Sequence, residues 1–236
     1  MRLSVSDVVS PSYFVATAAV ELGYFKAEGL DVEFVWTPPD SPTAFHDGEI
    51  DFLGASPYTG LVAFPEWKGA KLLCALSQYT YWFLAMRADL GIKRGDVSAV
   101  KGRRITAAGR PGLLLKRVLE DAGLDLDRDH IQLVSVPNPA GSWARIGADA
   151  IERGLADGLW GNGMRAEYAV RRGLATVLLD IRRGDGPPAA RHYTFPALIT
   201  TDRLIQAHPE AAAGAVRAIV KTQQALTADD FALVPQ

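Results

Sequence analysis

Cysteine and histidine are scarce in this sequence of 236 residues, which contains one cysteine, Cys74, and four histidines. A single cysteine excludes an intramolecular disulfide and a metal centre built from several thiolates. The histidines, at positions 46, 130, 192 and 208, are far apart, and none has the H-E-x-x-H spacing of a zinc-binding helix. We therefore expect no metal site and no cofactor in this chain.

Recognisable catalytic and phosphate-binding motifs are also missing. The sequence has no G-x-S-x-G nucleophile elbow, no Walker loop and no G-x-G-x-x-G. On this basis we assign no catalytic residue. Because catalytic groups can converge from distant loops, the missing motifs do not exclude an enzyme.

Neither a strong net charge nor a long apolar run is present. The formal net charge is -2 and the isoelectric point is near 6.1, so we expect no nucleic-acid partner. No apolar run approaches the roughly 20 residues that a transmembrane helix needs. The N-terminus, MRLSVSDVVSP, lacks the basic, apolar and small-residue regions of a secretory signal. We expect a cytoplasmic protein if Met1 is the native start, and otherwise one whose signal has been removed.

The sequence does contain alternating strand and helix patterns, and their order repeats. Strand, helix, Gly-Leu-Asp, strand, helix, Gly-x-x-Asp, strand occurs twice. The matching positions are Gly29–Asp31 with Gly123–Asp125, and Gly48 and Asp51 with Gly154 and Asp157. Glycine suits a helix end that needs a left-handed residue. One such match is common between any helix and strand, but two in the same order favour a duplicated α/β unit.

Two such units predict an α/β protein with two lobes, each a sheet flanked by helices. We expect residues 1–84 and 194–236 to form the first lobe and residues 85–193 the second. Two segments, near residues 78–96 and 182–201, then cross between the lobes. Two crossings make a hinge, and a hinge places a ligand cleft between the lobes.

The position of the candidate site follows from this architecture. In open α/β sheets, ligands bind beyond the carboxyl ends of the strands, where helix N-termini offer free N–H groups and a partial positive charge. The candidate ligand-binding residues are Ser10, Ser12, Tyr13, Pro38, Ser56, Tyr58, Tyr79, Arg110, Pro111, Gly112, Trp160 and Asn162. Arg110 would pair with an anion, and the aromatic rings, Trp160 above all, would supply flat walls. Simpler roles stay open, because Ser-Pro pairs can serve as helix caps alone and Arg110 can pair with a carboxylate of the protein.

Part of this pattern resembles a known family. Gly23-Tyr24-Phe25, then Glu28–Val32, then Gly48–Asp51, resemble residue by residue the substrate-binding proteins of ABC importers for sulfonates, taurine, nitrate and thiamine-precursor pyrimidines. The resemblance covers about residues 2–225. It implies a periplasmic-binding-protein-like fold of type II with two lobes and a hinge. It also implies a periplasmic monomer that captures a small organic anion, a sulfonate or carboxylate with or without an aromatic ring, and delivers it to an ABC permease.

The same resemblance leaves other functions open. Desulfinases and decarboxylases of aromatic acids resemble this superfamily, and in such an enzyme Arg110 would clamp the substrate while a histidine or cysteine acted as acid or nucleophile. The positions of Cys74, His46 and His192 relative to the site distinguish that enzyme from a binding protein. A ligand sensor that regulates a partner is a third alternative. The pyrimidine-synthase branch has a cysteine-rich motif that one cysteine cannot supply, so we set it aside. Relatives continue beyond TADDFALVPQ with further helices, so we expect a truncated chain.

Overall fold

The computed structural model describes residues 1–6, 8, 11–36, 41–107, 110–137, 145–193 and 196–227. The strands in these residues are β1 (Arg2–Val5), β2 (Glu33–Phe34), β3 (Phe52–Ala55), β4 (Ala70–Ala75), β5 (Phe83–Arg87), β6 (Arg104–Thr106), β7 (Gln132–Val134), β8 (Gly158–Gly161), β9 (Ala175–Asp180) and β10 (Ala197–Thr201). The helices are α1 (Phe14–Glu21), α2 (Tyr24–Ala27), α3 (Ser41–Asp47), α4 (Pro57–Ala63), α5 (Arg110–Asp121), α6 (Ile146–Glu152), α7 (Gly163–Arg171), α8 (Asp202–Ala207) and α9 (Pro209–Thr227). Over the described residues, every helix is too short or too polar to cross a membrane.

The chain divides into two compact units. The second unit runs from Tyr79 to Tyr193, and the first contains the described residues on either side of it, so the chain passes between the units twice. The sequence places the first passage after residue 84, which would divide β5. In the structure β5 pairs with β8 and β9, so the whole strand belongs to the second unit.

Each unit is built on a five-stranded mixed sheet, and the two sheets have the same strand order. The first sheet has the order β2-β1-β3-β10-β4, in which β1 is parallel to β2 and β3, and β10 is antiparallel to β3 and β4. The second sheet has the order β7-β6-β8-β5-β9, in which β6 is parallel to β7 and β8, and β5 is antiparallel to β8 and β9. The predicted repeat of one α/β unit is therefore confirmed in its topology.

The repeated aspartates make the same hydrogen bonds in both units. The Asp51 N–H donates to the Arg2 carbonyl at 2.9 Å, and the Asp51 carboxylate accepts from the Arg2 N–H at 2.7 Å. Asp157 makes both bonds with Arg104, at 2.7 and 2.9 Å. The glycines of the repeat all have positive φ, between 66° and 84°, a conformation that glycine adopts without strain. Each aspartate thus joins the start of one parallel strand to the start of its neighbour.

Helices cover both faces of the sheet in the first unit. Successive strand residues point to opposite faces. Phe52 therefore belongs to the apolar cluster that contains residues of α1, α2 and α9, whereas Leu53 belongs to the cluster that contains residues of α3 and α4. The sheet is consequently the middle layer of this unit, and only its edges are left for a ligand.

The orientation of α1 differs from the sequence prediction. The helical spacing of Phe14, Ala18, Leu22 and Phe25 predicts that these residues form one buried stripe. In the structure Phe14 is 56% exposed, and α1 buries the side that carries Val15 and Ala19. Thr17 and Glu21 lie three and seven residues after Phe14, so Phe14 shares the polar side of α1, which the apolar spacing alone overlooks.

Candidate functional site

The carboxyl ends of the parallel strands lie along one edge of each sheet. In the first unit β1, β2 and β3 are parallel, so the residues that follow these strands share that edge. We define the first edge as the described residues 6, 8, 11–14, 35–36 and 56–58. In the second unit β6, β7 and β8 are parallel. We define the second edge as the described residues 107, 110–113, 135–137 and 162–164.

Part of the predicted site lies outside the described residues. Ser10 and Pro38 lie entirely outside the described residues. Arg110 and Pro111 are described in their backbone but not in their side chains. By its backbone, Arg110 is the first residue of α5. The predicted helix start at the second edge is therefore confirmed. A ligand contact by Arg110 or Pro111 stays a prediction.

Gly112 has a local structural role at the start of α5. A Cβ atom at this position would lie 2.1 Å from the carbonyl oxygen of Ala107, the residue that follows β6. A contact of that length to the backbone is impossible without a shift of the helix. Gly112 therefore lets the first turn of α5 lie directly against the end of β6.

Ser56 is a predicted site residue whose hydroxyl has no partner among the described residues. It occupies the N-cap position of α4, with φ -67° and ψ 146°, but its side chain makes no capping bond. The residue is 4% exposed and its Oγ atom is buried. Buried hydroxyls are normally hydrogen-bonded, and an unpaired one costs stability. Ser56 is thus a polar group at the first edge that the described protein atoms leave unsatisfied.

The other predicted residues of the first edge differ in burial. Ser12 and Tyr13 are buried, and Tyr13 belongs to the apolar cluster beneath α1. Tyr58, at the start of α4, is 42% exposed. Of the two tyrosines that the sequence offers as flat walls at this edge, Tyr58 is therefore the one with an accessible ring.

Three exposed apolar side chains at the first edge were missed by the sequence reasoning. Val8 follows β1, Phe14 begins α1, and Trp36 follows β2 with 77% of its surface exposed. The Trp36 ring meets the Phe34 ring edge to face, with centroids 5.8 Å apart. The usable signal was the position of Trp36 just beyond a strand. The run DVEFVW, residues 31–36, predicts one continuous strand that includes Trp36. In the structure β2 ends at Phe34, so Trp36 lies beyond the strand.

Asn162 organises the start of α7 at the second edge. It immediately follows β8, and its Oδ1 accepts a hydrogen bond from the Arg165 N–H at 3.3 Å. The N–H groups of Gly163 and Met164, in the same first turn, have no acceptor within an α-helix by geometry. Together with the partial positive charge of the helix start, these N–H groups suit an anion. The predicted place of Asn162 at a helix N-terminus is confirmed, and its contact with a ligand stays a prediction.

Trp160 is the aromatic residue that the sequence favours as a ligand wall, but the structure buries it. Its exposed fraction is 1%, and its ring lies against that of Trp82 with centroids 5.5 Å apart. All four residues of β8 are buried, because α5, α6 and α7 all contact this strand. The Trp160 ring therefore belongs to the core of the second unit and offers no accessible face.

Tyr79 lies at the first passage of the chain between the units. It has a positive φ of 65° and an accessible ring. The His192 ring meets it edge to face at 5.8 Å, and the Arg191 guanidinium lies 5.6 Å from its centroid. The ring of Tyr79 is thus held by the segment that forms the second passage, and its contact with a ligand stays a prediction.

The groups that an enzyme would need are poorly placed for catalysis. Burial raises the pKa of the Cys74 thiol to about 11, so the thiol stays protonated at neutral pH. His46 lies in the last turn of α3, at the end of that helix away from the first edge, and it bonds to Asp47 at 2.9 Å. His192 lies beside Tyr79. Of these three, His192 alone is next to a predicted site residue.

The two edges differ in charge. None of the described residues of the first edge carries a charge. Beside the second edge, β9 ends at Asp180, and the half-exposed Arg182 bonds this carboxylate at 3.1 Å. The Arg182 guanidinium also lies 4.4 Å from the centroid of the Phe83 ring, at the start of β5. Helix N-termini therefore lie at both edges, and the Arg182–Asp180 pair lies beside the second edge.

Several solved structures share this fold at low sequence identity. A protein described as the periplasmic sulfonate-binding protein of a sulfonate ABC transporter from Methylobacillus flagellatus KT is 20% identical, with a TM-score of 0.73 over 98% of this chain and 69% of that chain. The periplasmic nitrate-binding protein from Synechocystis PCC 6803 is 16% identical, with a TM-score of 0.72 over 97% and 62%. The alkanesulfonate-binding protein from Xanthomonas axonopodis pv. citri, bound to MOPS, is 18% identical, with a TM-score of 0.69 over 96% and 74%. The chain thus spans between 62% and 74% of the length of these proteins.

The class of protein follows from the two matching units and these structures. The fold is the two-lobed α/β fold of periplasmic binding proteins. The family model described as NMT1/THI5 like matches residues 10–230, so the chain belongs to the NMT1/THI5-like family. This membership confirms the family resemblance that the sequence motifs predict. Among curated proteins, none matches the chain significantly.

Proposed function

We propose that this protein is the solute-binding component of an ABC importer. It captures a small organic anion, a sulfonate or carboxylate, in the cleft that the sequence predicts between the lobes, and it delivers the anion to a permease. It acts as a monomer outside the cytoplasmic membrane. Family membership, the shared fold and the named ligands of the sulfonate-binding and nitrate-binding structures support this proposal.

The start of α7 is the observation that carries the proposal. Asn162 caps one N–H of the first turn, and the N–H groups of Gly163 and Met164 are left for another acceptor. A sulfonate or carboxylate oxygen would accept from them and gain from the helix dipole. The start of α5, where Gly112 holds the first turn against β6, provides a second such position on the same edge. Arg110 would add a charge-assisted hydrogen bond there.

The enzyme alternative has less support from the described side chains. An enzyme of this fold needs a nucleophile or a proton donor at the edges. Cys74 is protonated and lies within the apolar cluster of the first unit, and His46 lies at the far end of α3. Only His192 would be left as an acid or base. The charged residue beside it in the described contacts around Tyr79 is Arg191, which does not deprotonate.

A thermal-shift screen tests the proposal. The purified protein is heated with alkanesulfonates, aromatic sulfonates, aromatic carboxylates and nitrate. A ligand at a hundred times its dissociation constant stabilises the folded state by about 2.7 kcal/mol, which corresponds to an increase in Tm of roughly 5–10 °C. An increase with sulfonates or carboxylates supports the proposal. No increase with any anion at millimolar concentration overturns it.

Replacement of Arg110 tests the anion site. We expect Arg110→Ala to weaken the binding of the best anion by about 2 kcal/mol, or about thirtyfold, because hydrogen bonds to charged groups contribute roughly 1.5–3 kcal/mol. Lys116→Ala is the matched control, since Lys116 is an exposed cation on the same helix, 3.8 Å from Glu120, and such surface pairs contribute little. Calorimetric titration measures both variants. Equal affinity in Arg110→Ala and the wild type would remove Arg110 from the site.

A further inference from the structure

We infer that the buried indole N–H of Trp160 donates a hydrogen bond to the anion bound at the start of α5. This inference rests on the proposed function and deepens it by adding a specificity-determining donor to the anion site. All the protein groups concerned belong to the second unit. The inference follows from the unsatisfied indole nitrogen, from the side of the sheet on which it lies, and from the end of the sheet at which α5 begins.

The Trp160 Nε1 atom is buried and has no hydrogen-bond partner among the described residues. Only 1% of the residue is exposed, so bulk solvent does not provide a partner either. The N–H of a buried tryptophan usually has an acceptor, and a buried donor without one lowers stability. Because an indole N–H donates and cannot accept, the group that suits this position is an acceptor such as a sulfonate or carboxylate oxygen.

The neighbouring ring of Trp82 does not replace that acceptor. The two ring planes are inclined by 32°, with centroids 5.5 Å apart, so the rings are closer to stacked than to perpendicular. An indole N–H lies in the plane of its own ring, and it meets the face of a second ring only when the two rings are close to perpendicular. A weak N–H···π contact with Trp82 therefore does not satisfy the Trp160 nitrogen.

Strand register places the Trp160 side chain on the side of the sheet that α5 covers. Ile105 pairs with both Leu133 and Gly158, so these three residues face the same side. A Cβ atom on Gly112, in α5, would lie 3.3 Å from the Leu133 Cδ1 atom, so α5 covers that side. Trp160 lies two residues after Gly158 in β8, which α5 contacts. The indole therefore extends toward the layer that contains α5.

Trp160 also lies at the end of the sheet where α5 begins. It is the third of the four residues of β8, and β8 is parallel to β6, so it lies near the carboxyl ends of both strands. Gly112 holds the first turn of α5 against the carbonyl of Ala107, which follows β6. The first-turn N–H groups of this 12-residue helix have no acceptor within the helix. An anion at this helix start accepts from those N–H groups with some of its oxygens and from the indole with another.

Nuclear magnetic resonance tests the inference on the unaltered protein. Labelling with ¹⁵N at tryptophan gives one indole resonance for each of the five tryptophans. Phenylalanine variants of the other tryptophans assign the Trp160 resonance by elimination. Methanesulfonate, benzenesulfonate, benzoate and nitrate are added in turn. We expect the anion that binds best to move the Trp160 indole proton downfield, as a new hydrogen bond does, and to move it further than the other four.

Trp160→Phe and Trp82→Phe are a matched pair for calorimetric titration. Each variant replaces one indole of the same buried pair of rings with a smaller ring that lacks an N–H. We expect Trp160→Phe to weaken the binding of the best of these four anions by about tenfold or more, because a hydrogen bond to a charged group is lost. Trp82→Phe should change this affinity by less than about threefold. Circular dichroism melts show whether both variants fold, and if Trp160→Phe does not, the wild-type resonance decides.

The outcomes separate this inference from the proposed function. An anion that binds without moving the Trp160 resonance, or that binds Trp160→Phe as tightly as the wild type, overturns the inference and leaves the proposed function standing. An equal loss of affinity in the two variants shows a packing effect and also overturns the inference. No binding of any of the four anions overturns both. A shifted Trp160 resonance, with affinity lost in Trp160→Phe and kept in Trp82→Phe, supports the inference.

Discussion

At the residue scale, Asp157 is a buried carboxylate held mainly by one arginine. Its Oδ2 accepts from the Arg104 N–H at 2.9 Å and from the Arg104 Nε at 3.2 Å, and its Oδ1 lies 3.4 Å from an Arg87 nitrogen. Burial alone would raise the pKa of Asp157. The hydrogen bonds from Arg104 and the charges of Arg104 and Arg87 outweigh this effect and hold the pKa below its ordinary value. Asp157 therefore ties the starts of β6 and β8 together in its ionised form.

We predict that Asp157→Asn lowers the free energy of unfolding by about 1–3 kcal/mol at pH 7, because it removes charge-assisted bonds from a buried site. A carboxylate whose folded pKa is lowered stabilises the protein above its unfolded pKa, and this stabilisation is lost as the pH falls through the folded pKa. The difference in the free energy of unfolding between the variant and the wild type should therefore be largest near neutral pH and become smaller below about pH 4. Urea unfolding between pH 7 and pH 3 measures it.

Asp51→Asn is the natural control, because Asp51 makes the same two backbone bonds in the first unit with a less buried carboxylate. We expect a smaller loss of stability for this variant. A loss in Asp157→Asn that does not change with pH would show that the ionised form of Asp157 is not what stabilises the second unit.

At the scale of elements, the starts of α4 and α7 occupy equivalent places and are built differently. Each helix follows the third parallel strand of its sheet, and its N-cap residue is Ser56 or Asn162. Asn162 bonds to the helix that it caps, whereas the Ser56 hydroxyl does not. One side chain therefore stabilises its helix, and the other leaves its hydroxyl without a partner among the described residues.

We predict different effects on the free energy of unfolding for the two alanine variants. Asn162→Ala should lower the free energy of unfolding by about 1 kcal/mol, the usual cost of losing an N-cap. Ser56→Ala should leave stability unchanged or slightly raised, because it removes a buried polar group that lacks a partner among the described residues. Thermal unfolding measures the first effect, and titration with the best anion measures whether Ser56→Ala weakens binding. A loss of 1 kcal/mol or more in Ser56→Ala, with unchanged affinity, would assign Ser56 a structural role only.

The elements also show how far the sequence alone can lead. The Gly and Asp positions of the repeat were predictable because helix ends and strand starts are local features of the chain. The burial of the Trp160 side chain was not predictable, because β8 is covered on both faces and all its residues are buried. The exposure of Phe14 was missed because its spacing to Ala18 and Leu22 indicated a buried stripe, although the polar Thr17 and Glu21 lie on the same side of α1. The side chains that the site uses depend on packing between elements distant in sequence.

At the scale of the whole molecule, the two ends of the second unit are hydrogen-bonded to each other. The Thr80 Oγ1 donates to the Tyr193 carbonyl at 2.9 Å, and the Thr80 N–H donates to the Arg191 carbonyl at 3.3 Å. The Tyr193 hydroxyl donates to Asp121 at the end of α5. The sequence places the first passage a few residues too late, since a strand that returns to pair with β8 and β9 is not visible from its own composition.

We propose that this two-lobed protein binds an organic anion and does not transform it. Isothermal titration of the purified chain with the best anion from the thermal-shift screen tests this most directly, with mass spectrometry of the ligand recovered afterwards. We expect about one ligand bound per chain, heat that returns to the baseline after each injection, and a ligand recovered unchanged. Heat flow that persists while ligand remains, together with a new product in the recovered material, would contradict it and identify the protein as an enzyme.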